Sequence, residues 1–247
     1  MLPNPHTASA ATASFLASLV EFIEALTVVL AVGATRGWRN ALAGATGALL
    51  LLGGAVAVLG PTARLPGDGF RFAVGVLTLL FGVRWMRKAI LRATGYIPLH
   101  DEAAAYAKEA ARLGRLPGAA AGGWDGPALA ASFQVVLLEG VEVLFIIAAV
   151  GAGGGRVGAA TVGAGAALAV VLALGVLLHR PITAIPENTL KFAVGVMMTA
   201  FGTFWAGEGI GAHWPGGDWA LLLLTALWAA LALGTVFAIR TAPPVAP

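Results

Sequence analysis

The stretch RFAVGV at residues 71–76 returns as KFAVGV at residues 191–196, with one basic residue exchanged for another. Such self-similarity at a fixed spacing marks an internal structural repeat, in which the second half of the chain retraces the first. The same offset of 120 residues relates a Phe-Gly pair, at 81–82 and 201–202, and a tryptophan, at 85 and 205. The repeat therefore determines which helices correspond.

The composition places the chain in a bilayer. Hydrophobic residues make up 59% of the chain and charged residues 11%, and the mean hydropathy is +0.87, which leaves too little polar surface for a soluble protein of 247 residues. The apolar residues come in runs of about the 20 needed to cross a membrane. We predict seven spans, at 12–33, 40–60, 70–90, 127–150, 157–179, 189–210 and 218–239.

Three spans per repeat determine the topology. Because three is odd, the second copy enters the membrane from the opposite side, which gives inverted-topology repeats. We predict an all-α integral membrane protein of seven transmembrane helices, in which two inverted three-helix repeats are followed by a seventh helix. The chain is expected to form one membrane domain, 1–247, with repeat one at 11–92, a cytoplasmic linker at 93–126, repeat two at 127–212 and helix seven at 218–240.

The basic residues indicate the orientation. With seven spans, twelve of the fifteen Lys and Arg residues fall on one side. By the positive-inside rule that side is cytoplasmic, so we predict an inner (plasma) membrane protein with its N-terminus outside and its C-terminus inside. The first span has no basic segment before it and contains two glutamates, so it is not a cleavable signal peptide. The net charge of +3 is a topology signal, and no nucleic-acid partner is expected.

Two acidic doublets interrupt this apolar sequence, Glu21 with Glu24 and Glu139 with Glu142. Each follows an Ala-Ser-Phe triplet by the same spacing. Residues three apart share a helix face, and inverted repeats place equivalent residues at similar depth, so all four carboxylates should meet near the membrane midplane. Their insertion would cost roughly 10–14 kcal/mol in total, which requires a compensating partner.

The nearest basic residue along the first span is Arg36, twelve positions beyond Glu24. That is about 18 Å along a helix, so protons or a bound cation remain as partners. Carboxylate oxygens are hard ligands that suit Mg, Ca, Mn and oxidised iron, and the absence of cysteine excludes thiolate sites. We expect a metal-cation pathway in which metal and protons compete for the four glutamates. Ser14, Ser18 and Thr27 extend the polar stripe of the first span, and Ser132 extends that of the fourth.

A second candidate metal site lies near the outer end of the sixth span, where Glu208 is followed by His213 and Asp218. An imidazole among carboxylates can hold a transition metal at the entrance of a pathway. On the cytoplasmic side, Glu187 and His179 are alternatives for a release site. The glycines at 75, 82, 195 and 202 share helix faces, which predicts close helix packing, with local unwinding as the alternative.

The linker predicts a short amphipathic helix on the membrane surface. Leu99, Ala103, Tyr106, Ala110 and Leu113 form an apolar stripe at helical spacing. A solvated linker helix and a gating element are both consistent with that pattern.

The stretch EGVEVLFII at 139–147, with EFIEAL at 21–26, resembles the Arg-Glu-Gly-Leu-Glu stretch of the high-affinity iron permeases, the oxidase-dependent iron transporter superfamily. The resemblance extends to seven spans, an outside N-terminus and one doublet in each half. It implies that Glu21, Glu24, Glu139 and Glu142 bind iron in transit, and that an external oxidase or periplasmic protein delivers it. Val20 and Leu138 stand where that family has arginine, which indicates a divergent branch and leaves manganese or another divalent cation as the alternative substrate.

Two other classes of function compete with transport. A membrane enzyme would use the carboxylates for acid and base chemistry, but the sequence has no Gly-x-Ser-x-Gly, His-Glu-x-x-His or phosphate-binding loop. A sensor or assembly subunit would bind the metal without moving it. We therefore expect no enzyme activity and no tightly bound cofactor, with Fe²⁺ or Fe³⁺ as the substrate.

Overall fold

The computed structural model describes residues 5–59, 68–117, 123–151, 157–178, 186–217 and 219–241. These residues form helices joined by turns and contain no strand, which confirms the all-helical prediction for this part of the chain. The helices are α1 (Pro5–Arg36), α2 (Trp38–Leu59), α3 (Asp68–Ala93), α4 (Glu102–Gly114), α5 (Gly126–Gly151), α6 (Val157–Leu178), α7 (Glu187–Gly209) and α8 (Trp219–Thr241).

Six of the described helices are long and apolar enough to cross a membrane, by length and composition. The spans are Ala10–Arg36, Trp38–Val58, Gly126–Gly151, Val157–Leu178, Glu187–Gly209 and Trp219–Thr241. Large aliphatic and aromatic side chains lie exposed on them, as expected for a surface in contact with lipid. Examples are Leu50, Val58, Val176, Leu177, Leu223 and Phe237.

The predicted third span corresponds to α3, a helix of 26 residues that is not among these six. Its sequence includes five basic residues, Arg71, Arg84, Arg87, Lys88 and Arg92. Charged side chains are expensive in hydrocarbon, so composition alone does not establish α3 as a span. The prediction of seven spans is not confirmed.

The helices form two compact units, and each unit contains helices from both predicted repeats. The first unit comprises α1, α2, α4, α5 and α6, and the second comprises α3, α7 and α8. In the first unit α1 packs along α6, and α2 packs along α5. Within it, Leu19 and Ile23 of α1 form an apolar cluster with Ala167 and Val171 of α6.

Two glycines permit the closest helix contacts in the first unit. A Cβ added at Gly44 of α2 would overlap the carbonyl oxygen of Leu129 in α5, and one added at Gly163 of α6 would overlap the carbonyl oxygen of Ala11 in α1. Small residues let helix backbones approach in this way. Gly37, at φ +93°, joins α1 directly to α2 in the left-handed conformation that glycine adopts without strain.

The linker helix α4 belongs to the first unit and packs against α1. Asp101 caps its N-terminus, since its Oδ1 accepts hydrogen bonds from the amides of Ala103 at 2.8 Å and Ala104 at 3.1 Å. Leu113 is fully buried and packs with Val32, Ala41 and Ala128. The predicted amphipathic helix is therefore present, and it is attached to the bundle by its C-terminal turn.

The second unit is built on a close antiparallel pair, α3 and α7. Gly82 of α3 faces Thr199 of α7, and Gly202 of α7 faces Leu79 of α3. A Cβ at either glycine would overlap backbone atoms of the other helix. The prediction of glycine-mediated packing is confirmed, since both helices are continuous through these positions.

α8 packs on this pair with its C-terminus beside that of α3. Arg240 donates hydrogen bonds from Nε, at 3.0 Å, and from one terminal nitrogen to the carbonyl oxygen of Ala93. α8 therefore runs parallel to α3.

Candidate metal centre

An ion pair fixes how α1 and α5 run past one another. Arg36, at the end of α1, lies 3.1 Å through its Nε from Asp125 Oδ2, just before α5, and both side chains are almost fully buried. Asp125 Oδ1 also accepts a hydrogen bond from the amide of Ala128 at 3.1 Å, which caps the N-terminus of α5. The end of α1 therefore meets the start of α5, and the two helices are antiparallel.

This arrangement brings three of the four predicted glutamates together. Glu21 and Glu24 of α1 and Glu139 of α5 each contribute a carboxylate oxygen to a group in which all three oxygens lie within 4.8 Å of one another. Glu21 is fully buried, and Glu24 and Glu139 are partly exposed. Metal to oxygen bonds of about 2.0–2.6 Å place ligands on opposite sides of one ion roughly 4–5 Å apart, so the group has the size of a cation site.

The local sequence explains why these side chains converge. Glu21 and Glu24 are three residues apart on one helix, so they project from neighbouring positions of one face. Gly140, which follows Glu139, leaves room for a side chain of α2, since a Cβ there would overlap Leu52 Cδ1. The glycine inside the second doublet therefore allows α2 to pack against α5 beside the carboxylate group.

Glu142 is not a member of this group. It is partly exposed and lies one turn further along α5 than Glu139. The sequence predicted four convergent carboxylates, and the structure brings together three.

The chemistry of the group favours a hard cation. Ionised carboxylates have acceptor oxygens and no donor, and a low-dielectric surrounding makes the repulsion among the three large unless a cation or protons are bound. The basic residue of α1 is engaged elsewhere, since Arg36 bonds Asp125 and also donates to the carbonyl oxygen of Pro117 at 2.8 Å. The group has the spacing and the ligand chemistry to hold one hard cation.

The structure describes two of the three residues of the predicted outer site. Glu208 of α7 forms an ion pair with Arg71 of α3 at 3.6 Å, and His213 is exposed in the turn after α7. Asp218 lies outside the described residues. Among the residues that the structure describes, neither Glu208 nor His213 belongs to a group with metal-ligand spacing.

Of the predicted release residues, Glu187 is buried at the start of α7, and His179 lies outside the described part of the chain. Glu187 lies 3.6 Å from Arg92, 4.0 Å from Lys191 and 3.5 Å from His100 Nε2. The backbone amide of His100 also donates to Asn188 Oδ1 at 3.1 Å. His100 is partly buried at the end of the α3 and α7 pair.

The pairing of Arg36 with Asp125 was also missed. The signal for the acidic partner was present, because an aspartate followed by Gly-Pro is a typical helix start. Its basic partner could not be found from spacing, since the two residues meet only through tertiary packing.

Comparisons of the chain with protein-family models, with curated proteins and with solved structures found no match.

Proposed function

We propose that this protein is a membrane permease for a metal cation and that Glu21, Glu24 and Glu139 form its transit site. The observation that carries the proposal is the meeting of three carboxylates from two separate helices within the dimensions of one ion. Three ionised carboxylates within this distance repel one another strongly in a low-dielectric surrounding, and a bound ion or protons would reduce that repulsion. The cation and protons then occupy the same site alternately, so release of the cation is coupled to uptake of protons.

Seven spans with an outside N-terminus remain the topology that we propose. Support for α3 as a span comes from the second unit, where it runs antiparallel to α7 along its length. Gly209 meets Phe72 near one end of the pair and Gly195 meets Met86 near the other. A helix that follows a membrane-spanning partner over that distance spans the same hydrocarbon layer.

The inverted repeat that we propose is supported by matched contacts in the first unit. α1 packs on α6, and α5, the equivalent of α1, packs on α2, the equivalent of α6. The glycine contacts also correspond, because Gly163 meets Ala11 while Gly44 meets Leu129. Gly163 follows Gly44 by 119 positions and Leu129 follows Ala11 by 118, which is the offset between the two doublets.

The second unit shows the same reciprocity in its own contacts. Gly75 meets Trp205, and Gly195 meets Trp85. Exchanging the two repeats exchanges these contacts, as a twofold relation requires.

The substrate that we propose is iron, on the resemblance of both doublets to the iron permeases, with manganese or another divalent cation as the alternative. The protein would lie in the inner (plasma) membrane and receive its ion from an external oxidase or periplasmic delivery protein. Oxygen-only ligands suit Fe³⁺ and Mn²⁺ better than softer ions.

The test is cation uptake into proteoliposomes, measured separately for Fe²⁺, Fe³⁺ kept soluble by citrate, and Mn²⁺, with and without a pH gradient. Wild-type protein should take up at least one of these ions faster than empty liposomes, and Glu139→Gln should abolish the difference. Glu208→Gln is the matched control, because its carboxylate is paired with Arg71 and does not belong to the carboxylate group.

Two results of these measurements would contradict the proposal. Binding without uptake would identify a sensor or assembly subunit in place of a permease. Uptake by Glu139→Gln at the wild-type rate would refute the carboxylate site.

A further inference from the structure

Four buried hydroxyl groups lie on the helices that carry the carboxylates. They belong to Ser14, Ser18 and Thr27 of α1 and to Ser132 of α5, and each residue is at most 1% exposed. None of the four side-chain oxygens has a hydrogen-bond partner among the residues that the structure describes. Buried polar groups are nearly always hydrogen-bonded, so these four require an explanation.

Several other helical hydroxyls in the chain are satisfied locally, although Thr78 of α3 is buried without a hydrogen-bond partner among the described residues. Thr35 donates to the carbonyl oxygen of Ala31 at 2.6 Å, Thr203 to that of Thr199 at 2.7 Å and Thr225 to that of Leu221 at 2.7 Å. A bond to the carbonyl four residues earlier is the usual solution for a hydroxyl in an apolar environment. The four hydroxyls beside the carboxylates do not adopt it, and they are grouped on the two helices that carry the carboxylates, which favours a shared partner outside the polypeptide.

Their positions relative to the carboxylates form an ordered series. Ser14 and Ser18 precede Glu21 by seven and three residues, and Thr27 follows Glu24 by three. Residues three or seven positions apart lie on the same face of a helix. The hydroxyls of α1 therefore extend about 10 Å before the carboxylates and about 4.5 Å beyond them, at 1.5 Å per residue.

The antiparallel course of α5 adds a second hydroxyl on the far side. Ser132 precedes Glu139 by seven residues, which is about 10 Å along α5, toward the end where Arg36 meets Asp125. Two hydroxyls therefore lie toward the N-terminal end of α1, and two lie toward its C-terminal end.

We propose that these hydroxyls line a path that reaches the carboxylate group from both faces of the membrane and that is closed in this structure, where the four side chains are buried. Ser14 and Ser18 line the half on the N-terminal side of α1, and Thr27 and Ser132 line the half on the other side. Hydroxyl oxygens are hard ligands that replace waters of a hydrated divalent cation one at a time. The inference rests on the proposed function, and it assigns the route by which the ion enters and leaves.

The test uses the natural absence of cysteine from the chain. Ser18→Cys and Ser132→Cys are introduced singly and reconstituted into vesicles, and a charged, membrane-impermeant methanethiosulfonate reagent is added on one side at a time. The control is Ala167→Cys, because Ala167 is fully buried among apolar residues that include Leu19 and Ile23, at the same depth.

We expect Ser18→Cys to react from the side of the N-terminus of α1 and Ser132→Cys to react from the opposite side. Each should react at least about tenfold faster than Ala167→Cys, because apolar surroundings suppress the reactive thiolate. Saturating Mn²⁺ or Fe²⁺ should slow both reactions, since the ion occupies the path.

Labelling of both serine positions no faster than the control, from either side, would overturn the path even if the wild-type protein moves cations. Labelling from the expected sides but without slowing by Mn²⁺ or Fe²⁺, in a protein that neither binds nor moves a cation, would keep the path and refute the proposed function. As a second measurement without cysteine, the double variant Ser18→Ala with Ser132→Ala should take up the ion about tenfold more slowly, the equivalent of one hydrogen bond lost. Unchanged uptake would also overturn the path.

Discussion

Replacement of Gly202 by alanine tests the packing of α3 against α7. A Cβ at this position would lie 2.7 Å from Leu79 Cβ and would also overlap the backbone of that residue. Carbon atoms pack at about 3.5–4.0 Å, so the two helices must separate by roughly 1 Å. The obstructing atoms include backbone, which has no alternative rotamer, and overpacking of this kind costs about 1–3 kcal/mol.

Gly234→Ala is the control, because Gly234 lies within α8 of the same unit and a Cβ there would meet nothing within 4 Å. Both variants gain the same helix propensity, so the difference between them isolates the packing effect. Thermal unfolding in detergent, followed by tryptophan fluorescence, should give a Tm for Gly202→Ala about 2–12 °C below that of Gly234→Ala. Equal Tm values would refute the close packing of the pair.

Two further substitutions test ion pairs of different burial. Asp125→Ala leaves the buried Arg36 charge without its carboxylate partner and removes the N-cap of α5. We expect the free energy of unfolding, measured in detergent, to fall by about 3–5 kcal/mol. A loss below about 1 kcal/mol would contradict this expectation. Glu208→Gln removes the partly exposed pair with Arg71, so its effect should stay within about 1 kcal/mol in the same assay, and a larger loss would show that the pair is structural.

Much of the helical architecture could be predicted from sequence. The predicted spans 127–150 and 157–179 agree closely with α5 (Gly126–Gly151) and α6 (Val157–Leu178). Apolar runs bounded by glycine, proline and charged residues define such helices well, because the bilayer requires a fixed length. The i, i+3 spacing likewise predicted that Glu21 and Glu24 share a face.

Which of the remaining glutamates would join them could not be predicted. Glu139 and Glu142 are both on the polar side of α5, and the choice depends on how α5 is rotated against α1. That rotation is set by contacts between distant residues, such as Gly44 with Leu129 and Arg36 with Asp125. No local pattern in either helix encodes it.

The burial of Glu187, at the N-terminal end of α7, could not be predicted from the sequence either. The sequence named Glu187 as a candidate release residue, but its three basic neighbours come from α3, from the segment after α3 and from α7 itself. Two of those three neighbours are contributed by tertiary packing. The sequence therefore indicated a candidate release residue, and the structure places it in an ion-pair network.

Equilibrium metal binding by Glu139→Gln and Glu142→Gln, compared in detergent with Fe²⁺ and Mn²⁺ by titration calorimetry, tests the central claim most directly. The two residues belong to one doublet, but only Glu139 lies in the carboxylate group. We predict that Glu139→Gln weakens binding at least about tenfold, as expected for loss of one charged ligand. The affinity of Glu142→Gln should stay within about threefold of wild type, which is below the tenfold change that about 1.4 kcal/mol represents. Equal losses in both variants, or no loss in either, would contradict the three-carboxylate site.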